Sequence, residues 1–60
     1  MKYEHARNLH NEDQVIVRKT GQVLMVVETR LVAPEKAAGQ APAVLVMLDD
    51  GNWYHHREIA

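Results

Sequence analysis

Residues 22 to 33 read QVLMVVETRLVA, and how this run is taken decides the fold. Val23, Val26, Val27, Thr29, Leu31 and Val32 are β-favouring, and no Gly or Pro interrupts the stretch before Pro34. The run is therefore predicted to be the central strand. On an even/odd count Val23, Met25, Val27, Thr29 and Leu31 share one face, with Leu24, Val26, Glu28, Arg30 and Val32 on the other. Apolar residues fill both faces early and charges enter one face late, which predicts a bent strand buried at its start and solvated at its end.

Working outward, Gln14 to Lys19 reads as a first strand, with Val15 and Val17 on one face and Gln14, Ile16 and Arg18 on the other. Thr20-Gly21 supplies the turn between the two, because Gly accepts the positive φ that tight hairpins need. Downstream, Pro34 to Pro42 (PEKAAGQAP) is a loop, since both prolines and a glycine fall in it. Ala43 to Asp49 is predicted as the third strand, with Val44, Val46 and Leu48 on one face and Ala43, Leu45 and Met47 on the other. Asp49-Asp50-Gly51-Asn52 is the strongest turn signal in the chain, and Trp53 to His56 pairs back after it. Arg57 to Ala60 is a final turn or closing strand in which Ile59 plugs the core. Residues 1 to 12 carry only a weak helical rhythm in Tyr3, Ala6, Leu9 and His10, so they read as an arm or a single turn beside the domain of residues 13 to 60.

Four or five short strands, a turn near residue 21 and the run VLVMLDDGNWYHHREI resemble the small SH3-like barrels of the KOW and Tudor type. The likeness covers residues 13 to 60. It implies an all-β SH3-like barrel of four to five antiparallel strands, with Val15, Val17, Val26, Val44, Val46, Leu48, Tyr54 and Ile59 pointing inward. It also implies a module that binds peptides or nucleic acids and is rarely catalytic, although fold by itself does not fix function.

Sixty residues make one domain, and a domain that small buries only about 60% of the surface its unfolded chain exposes. There is no Cys, so no disulfide or thiolate site can staple it. Association is the remaining source of stability. No apolar run approaches the roughly 18 residues that span a bilayer, and MKYEHARNLHNED is unlike a targeting peptide, so a cytoplasmic location with no membrane association is expected.

Net charge is −1, with the largest basic excess, only +1, in residues 13 to 33. Nucleic-acid affinity comes largely from phosphate neutralisation, so nucleic acid is a disfavoured partner. The residues that would serve that alternative are Arg18, Lys19, Arg30 and Trp53.

Chemistry has little to stand on. The chain has no Ser or Cys, Thr20 and Thr29 lack a base at recognisable spacing, and Asp49 and Asp50 are explained as turn formers beside Gly51. No enzyme activity and no cofactor are expected. His5 and His10 stand off the four-residue helical step, and adjacent His55 and His56 would leave opposite faces of a strand, so no metal site is expected.

Recognition of a protein is the better expectation. Trp53 shares a side with His55, opposite Tyr54, and would lie near Arg57 on the outer surface; aromatic and Arg residues are common interface anchors. Leu24, Leu45 and Met47 would face away from the interior and need a cover. Either the arm supplies it through Tyr3 and Leu9, or a second copy of the chain does. The predicted partner-binding set is thus Trp53, His55, Arg57, Arg30, Leu24, Leu45 and Met47, serving a protein partner or self-association, with a homodimer preferred.

Overall fold

The computed structural model describes residues 1–32 and 41–60. The predicted loop of residues 34 to 42 lies largely outside them, as does the last residue of the predicted central strand. Strand β1 (Gln14–Ile16) turns at Gly21, φ +74°, into the long strand β2 (Val23–Val32). The pair is antiparallel, with Val15 opposite Leu24 and Ile16 opposite Val23. Strand β3 (Ala43–Leu48) pairs antiparallel with β2, and β4 (Trp53–His55) returns along β3 after a turn at Gly51, φ +84°. Both glycines occupy the left-handed region that the hairpin reading demanded.

These four strands form one sheet in the order β1-β2-β3-β4. A 3-10 helix (His56–Glu58) then swings the chain back across the open side, and Ile59 bridges Val17. Three backbone hydrogen bonds hold that return: Ile16 N–H to Ala60 O at 3.1 Å, Ala60 N–H to Ile16 O at 2.8 Å, and Arg18 N–H to Glu58 O at 2.9 Å. The sheet thereby curls toward closure, giving the expected small all-β, barrel-like fold. No helix among the described residues is long and apolar enough to cross a membrane.

Alternation places the core. Val15, Val17, Val26, Val44, Val46, Leu48 and Ile59 are buried together with Ala6, and Tyr54 packs against them. Burying each large aliphatic side chain contributes about 1.5–3 kcal/mol, so this cluster is the principal term holding so small a chain. The arm is ordered: a single helical turn, α1 (Tyr3–Ala6), sets Ala6 into the core, and Met1, Tyr3 and Leu9 pack around it. It lies against β3 and the 3-10 helix.

Three local readings change. Strand β1 ends at Ile16, with Val17 in a lone bridge, because residues 18 to 20 must turn while Arg18 bonds back to Glu58. Strand β4 ends at His55, because His55 caps the 3-10 helix that begins at His56. Most consequential is a β-bulge in β2. Val26 pairs with Leu48 but Glu28 pairs with Met47, leaving Val27 as the extra residue.

An inserted residue reverses the parity of everything beyond it. Before the bulge, Leu24 and Val26 face the core; after it, Thr29 and Leu31 lie opposite the core residues Val46 and Val44, while Glu28, Arg30 and Val32 turn outward. A single even/odd count along the strand therefore fails. Nor is the beginning of β2 buried on both sides, since Val23 and Met25 are exposed. Leu24, expected outside, packs against the core opposite Val15.

Candidate protein-interaction face

The register of β2, β3 and β4 builds a surface in two rows. Glu28, Met47 and Trp53 lie side by side across the three strands, and Arg30, Leu45 and His55 form the next row. Opposed residues of an antiparallel sheet share a face, so these six side chains project from one outer surface. Two strand spacings, about 10 Å, separate β2 from β4. Arg30 crosses that gap diagonally, and its guanidinium carbon sits 5.0 Å from the centroid of the Trp53 ring. Such cation–π contacts at exposed sites are worth about 0.5–1 kcal/mol. Trp53 nevertheless remains 37% exposed, and Leu45 and Met47 beneath the Arg30 stem are half-buried.

Of the residues expected to bind a partner, five gather here: Trp53, Arg30, Leu45, Met47 and His55. Leu24 does not, because the core claims it. Arg57 stands in the 3-10 helix, where its backbone N–H donates to Nδ1 of His55 at 3.1 Å, and the cation on the Trp53 ring is Arg30. Glu28 belongs to the surface and was missed, because only the bulge turns it to this side.

The rings of His55 and His56 do not diverge as those of strand neighbours would. Their ring centroids are 4.3 Å apart at an interplanar angle of 30°, since the chain leaves extended geometry between them. His55 closes a capping box: Nδ1 accepts from Arg57 N–H while its own backbone N–H donates to Oε1 of Glu58 at 3.0 Å. His56 is buried, with Tyr3 edge-on at 6.0 Å, and its Nδ1 accepts the Val44 N–H. Burial, followed by the nearby His55 and Arg57, lowers its pKa below the ordinary histidine value. The two Nδ1 atoms are thus engaged with backbone donors.

The alternative basic set is split. Arg18 and Lys19 lie in the β1–β2 turn, where Arg18 Nε donates to Ile59 O at 3.3 Å. They line a cleft of about 660 Å³ with Val17, Thr20, Tyr54 and Glu58. Arg30 and Trp53 do not line that cleft; they meet on the outer surface of β2 and β4.

Tyr54, on the inner side of β4, reaches back to the hairpin turn. Its hydroxyl donates to Oδ2 of Asp50 at 2.6 Å, and Asp50 also accepts from the Asn52 backbone N–H at 3.0 Å and from Asn52 Nδ2 at 3.2 Å. The Tyr54 hydrogen bond, then that of Asn52, holds the Asp50 carboxyl below its ordinary pKa, and the same bond raises that of the phenol. The carboxylate is committed to holding its own turn.

Outside the Trp53 surface, Ile16, Val23 and Met25 are also exposed on the outward side of the β1–β2 hairpin. Compared with known protein families, curated proteins and solved structures, the chain matches none at a significant level.

Proposed function

We propose that this chain is a non-catalytic interaction module that binds a protein partner, a second copy of itself included, through the outer surface of β2, β3 and β4. The observation that carries this reading is the Arg30–Trp53 stack. It presents a flat aromatic and a cation whose position is set, over half-buried Leu45 and Met47, with Glu28 and His55 at its margins. Interface hot spots are enriched in Trp and Arg that need little further ordering on binding. The titratable groups best defined by geometry, His56 and Asp50, bond to the chain's own backbone and side chains, which fits a scaffold more than a reaction centre.

Trp53 is the lone tryptophan, so its fluorescence reports this surface directly. The reading expects a photo-crosslinker replacing Met47 to capture a protein in the native host, and purified chain to bind that protein with a blue shift of Trp53 emission. Trp53→Ala is expected to weaken binding by tenfold or more while leaving the fold intact. Tight binding to a mixed-sequence oligonucleotide that falls steeply with salt would instead favour the nucleic-acid alternative.

A further inference from the structure

The edge of β2 beyond its bulge is a strand edge of unusual symmetry. On β3, Val44 N–H donates to the His56 ring and Leu48 N–H to Asn52 O, so the even-numbered residues hydrogen-bond toward β4. The odd-numbered residues therefore bond toward β2, through Glu28, Arg30 and Val32. Thr29 and Leu31 must then direct their N–H and C=O groups away from β3. Strand β1 pairs no farther than Met25, with Glu12 and Asp13 extending the contact to Val26, so among the described residues nothing pairs with that edge. Flanking it, Val27 and Val32 are exposed and Leu31 is 61% exposed.

Residues 27 to 31 read Val-Glu-Thr-Arg-Leu. About Thr29 the pattern is self-complementary: apolar at both ends, an acid on one side and a base on the other. We infer that two copies of the chain pair antiparallel along this edge, with Thr29 on the two-fold axis, joining two barrels into a continuous sheet. In that register Thr29 exchanges both backbone hydrogen bonds with its counterpart, and Val27 meets the partner's Leu31 at each end. Glu28 faces the partner's Arg30 twice, at the closely spaced, non-hydrogen-bonded positions where side chains come nearest. The neighbouring registers that keep Thr29 or Leu31 in the ladder do worse. Centring on Glu28 or on Arg30 opposes two like charges, and centring on Leu31 sets Arg30 against Val32 and leaves Glu28 without its cation. A two-fold axis makes each favourable pair count twice.

Because Glu28 and Arg30 point outward, the partner's Glu28 would reach the cation already resting on Trp53, so edge and surface form one interface. This inference rests on the interaction-module reading and names its partner as a second copy.

Sedimentation over a wide concentration range is expected to show a monomer–dimer equilibrium. Glu28→Arg and Arg30→Glu, both at exposed positions, are each expected to weaken the dimer roughly tenfold, since both charge pairs become repulsive. An equimolar mixture of the two variants is expected to restore a heterodimer. Register is read separately with Thr29→Cys in this cysteine-free chain: hydrogen-bonded pairs stand about 5.5 Å apart at Cα, within disulfide reach, so it should oxidise to a covalent dimer ahead of Arg30→Cys or Leu31→Cys. Three results would overturn the pairing: a monomer at every concentration, charge variants that dimerise normally, or a mixture no tighter than its components. A dimer abolished by Trp53→Ala yet indifferent to the charge variants would sink the edge and leave the module reading standing.

Discussion

The backbone N–H of Val44 donates to Nδ1 of His56 across 3.2 Å inside the protein, at the point where β4 has ended and the 3-10 helix stands in its place. A side chain thus completes a ladder that the backbone abandons. Protonating the imidazole at Nδ1 would break this bond and bury a charge. Since the folded pKa of His56 is lowered, the unfolded chain takes up the proton first. Its contribution to stability is complete above the unfolded histidine value of about 6.5 and declines as pH falls below it toward the depressed folded value. Urea denaturation between pH 8 and 5 should show the midpoint falling through this window, and His56→Gln should remove that part of the slope.

Replacing His56 by Leu tests the same bond without a titration. The variant leaves the buried Val44 N–H without its acceptor, at a cost of about 1–3 kcal/mol. Slower-growing protection at Val44 than at neighbouring β3 amides in hydrogen exchange would accompany it; an unchanged Val44 amide would show that the contact is inconsequential.

Leu48 is among the largest fully buried side chains and sits opposite Val26, next to the bulge. Leu48→Ala should destabilise by about 2–5 kcal/mol through lost transfer energy and the cavity left behind. In a domain of marginal stability that is enough to populate the unfolded state at 25 °C, which circular dichroism and denaturant midpoints would register.

Backbone handedness separates two further substitutions. Gly51, at φ +84°, has open space where a Cβ would go, so the whole cost of Gly51→Ala is conformational, about 1–2 kcal/mol, with Gly51→Asn milder. Glu12 is the converse case: it holds φ +77° although it is not glycine, while its N–H bonds to Val26 O at 2.8 Å. Glu12→Asn should stabilise, on the order of 0.5 kcal/mol, because Asn tolerates that region better. Thermal midpoints moving in opposite directions for Gly51→Ala and Glu12→Asn would verify both.

Tyr54→Phe removes the hydroxyl that chiefly holds the Asp50 carboxyl below its ordinary pKa. The Asp50 pKa should rise toward the usual carboxylate value in an NMR titration. Because a lowered carboxylate pKa stabilises above the unfolded value and is lost on acidification, the variant should also be less sensitive to acid below about pH 4. A carboxyl resonance that titrates identically in both proteins would refute the assignment.

Much of the fold was legible from residue order. Val15 with Val17, and Val44, Val46 and Leu48, announce their burial by alternation alone, and the glycines at 21 and 51 announce their turns. These signals are local, because a strand's two faces follow from a repeat of two residues and a tight turn from one residue's φ. The outer surface of β2, β3 and β4 was partly legible. Trp53, Arg30, Leu45, Met47 and His55 lie on it as expected, but Leu24 and Arg57 lie elsewhere and Glu28 was absent from the expected set.

Those errors differ in origin: Leu24 shares a face with Val26 on the plain even/odd count, so its place against the core was legible, whereas Glu28 reaches the outer surface only through the bulge. Residue order determined which segments would be extended, where they would turn and which aliphatic residues were available for a core, since each depends on near neighbours along the chain. Tertiary structure alone decided that Val27 would bulge and reverse the facing of β2, that His56 would leave the strand to receive the Val44 N–H, and that Ile59 would return to Val17. Each is a match between segments far apart in sequence, and register of that kind is set by closing the sheet around a common core, a condition no single strand contains.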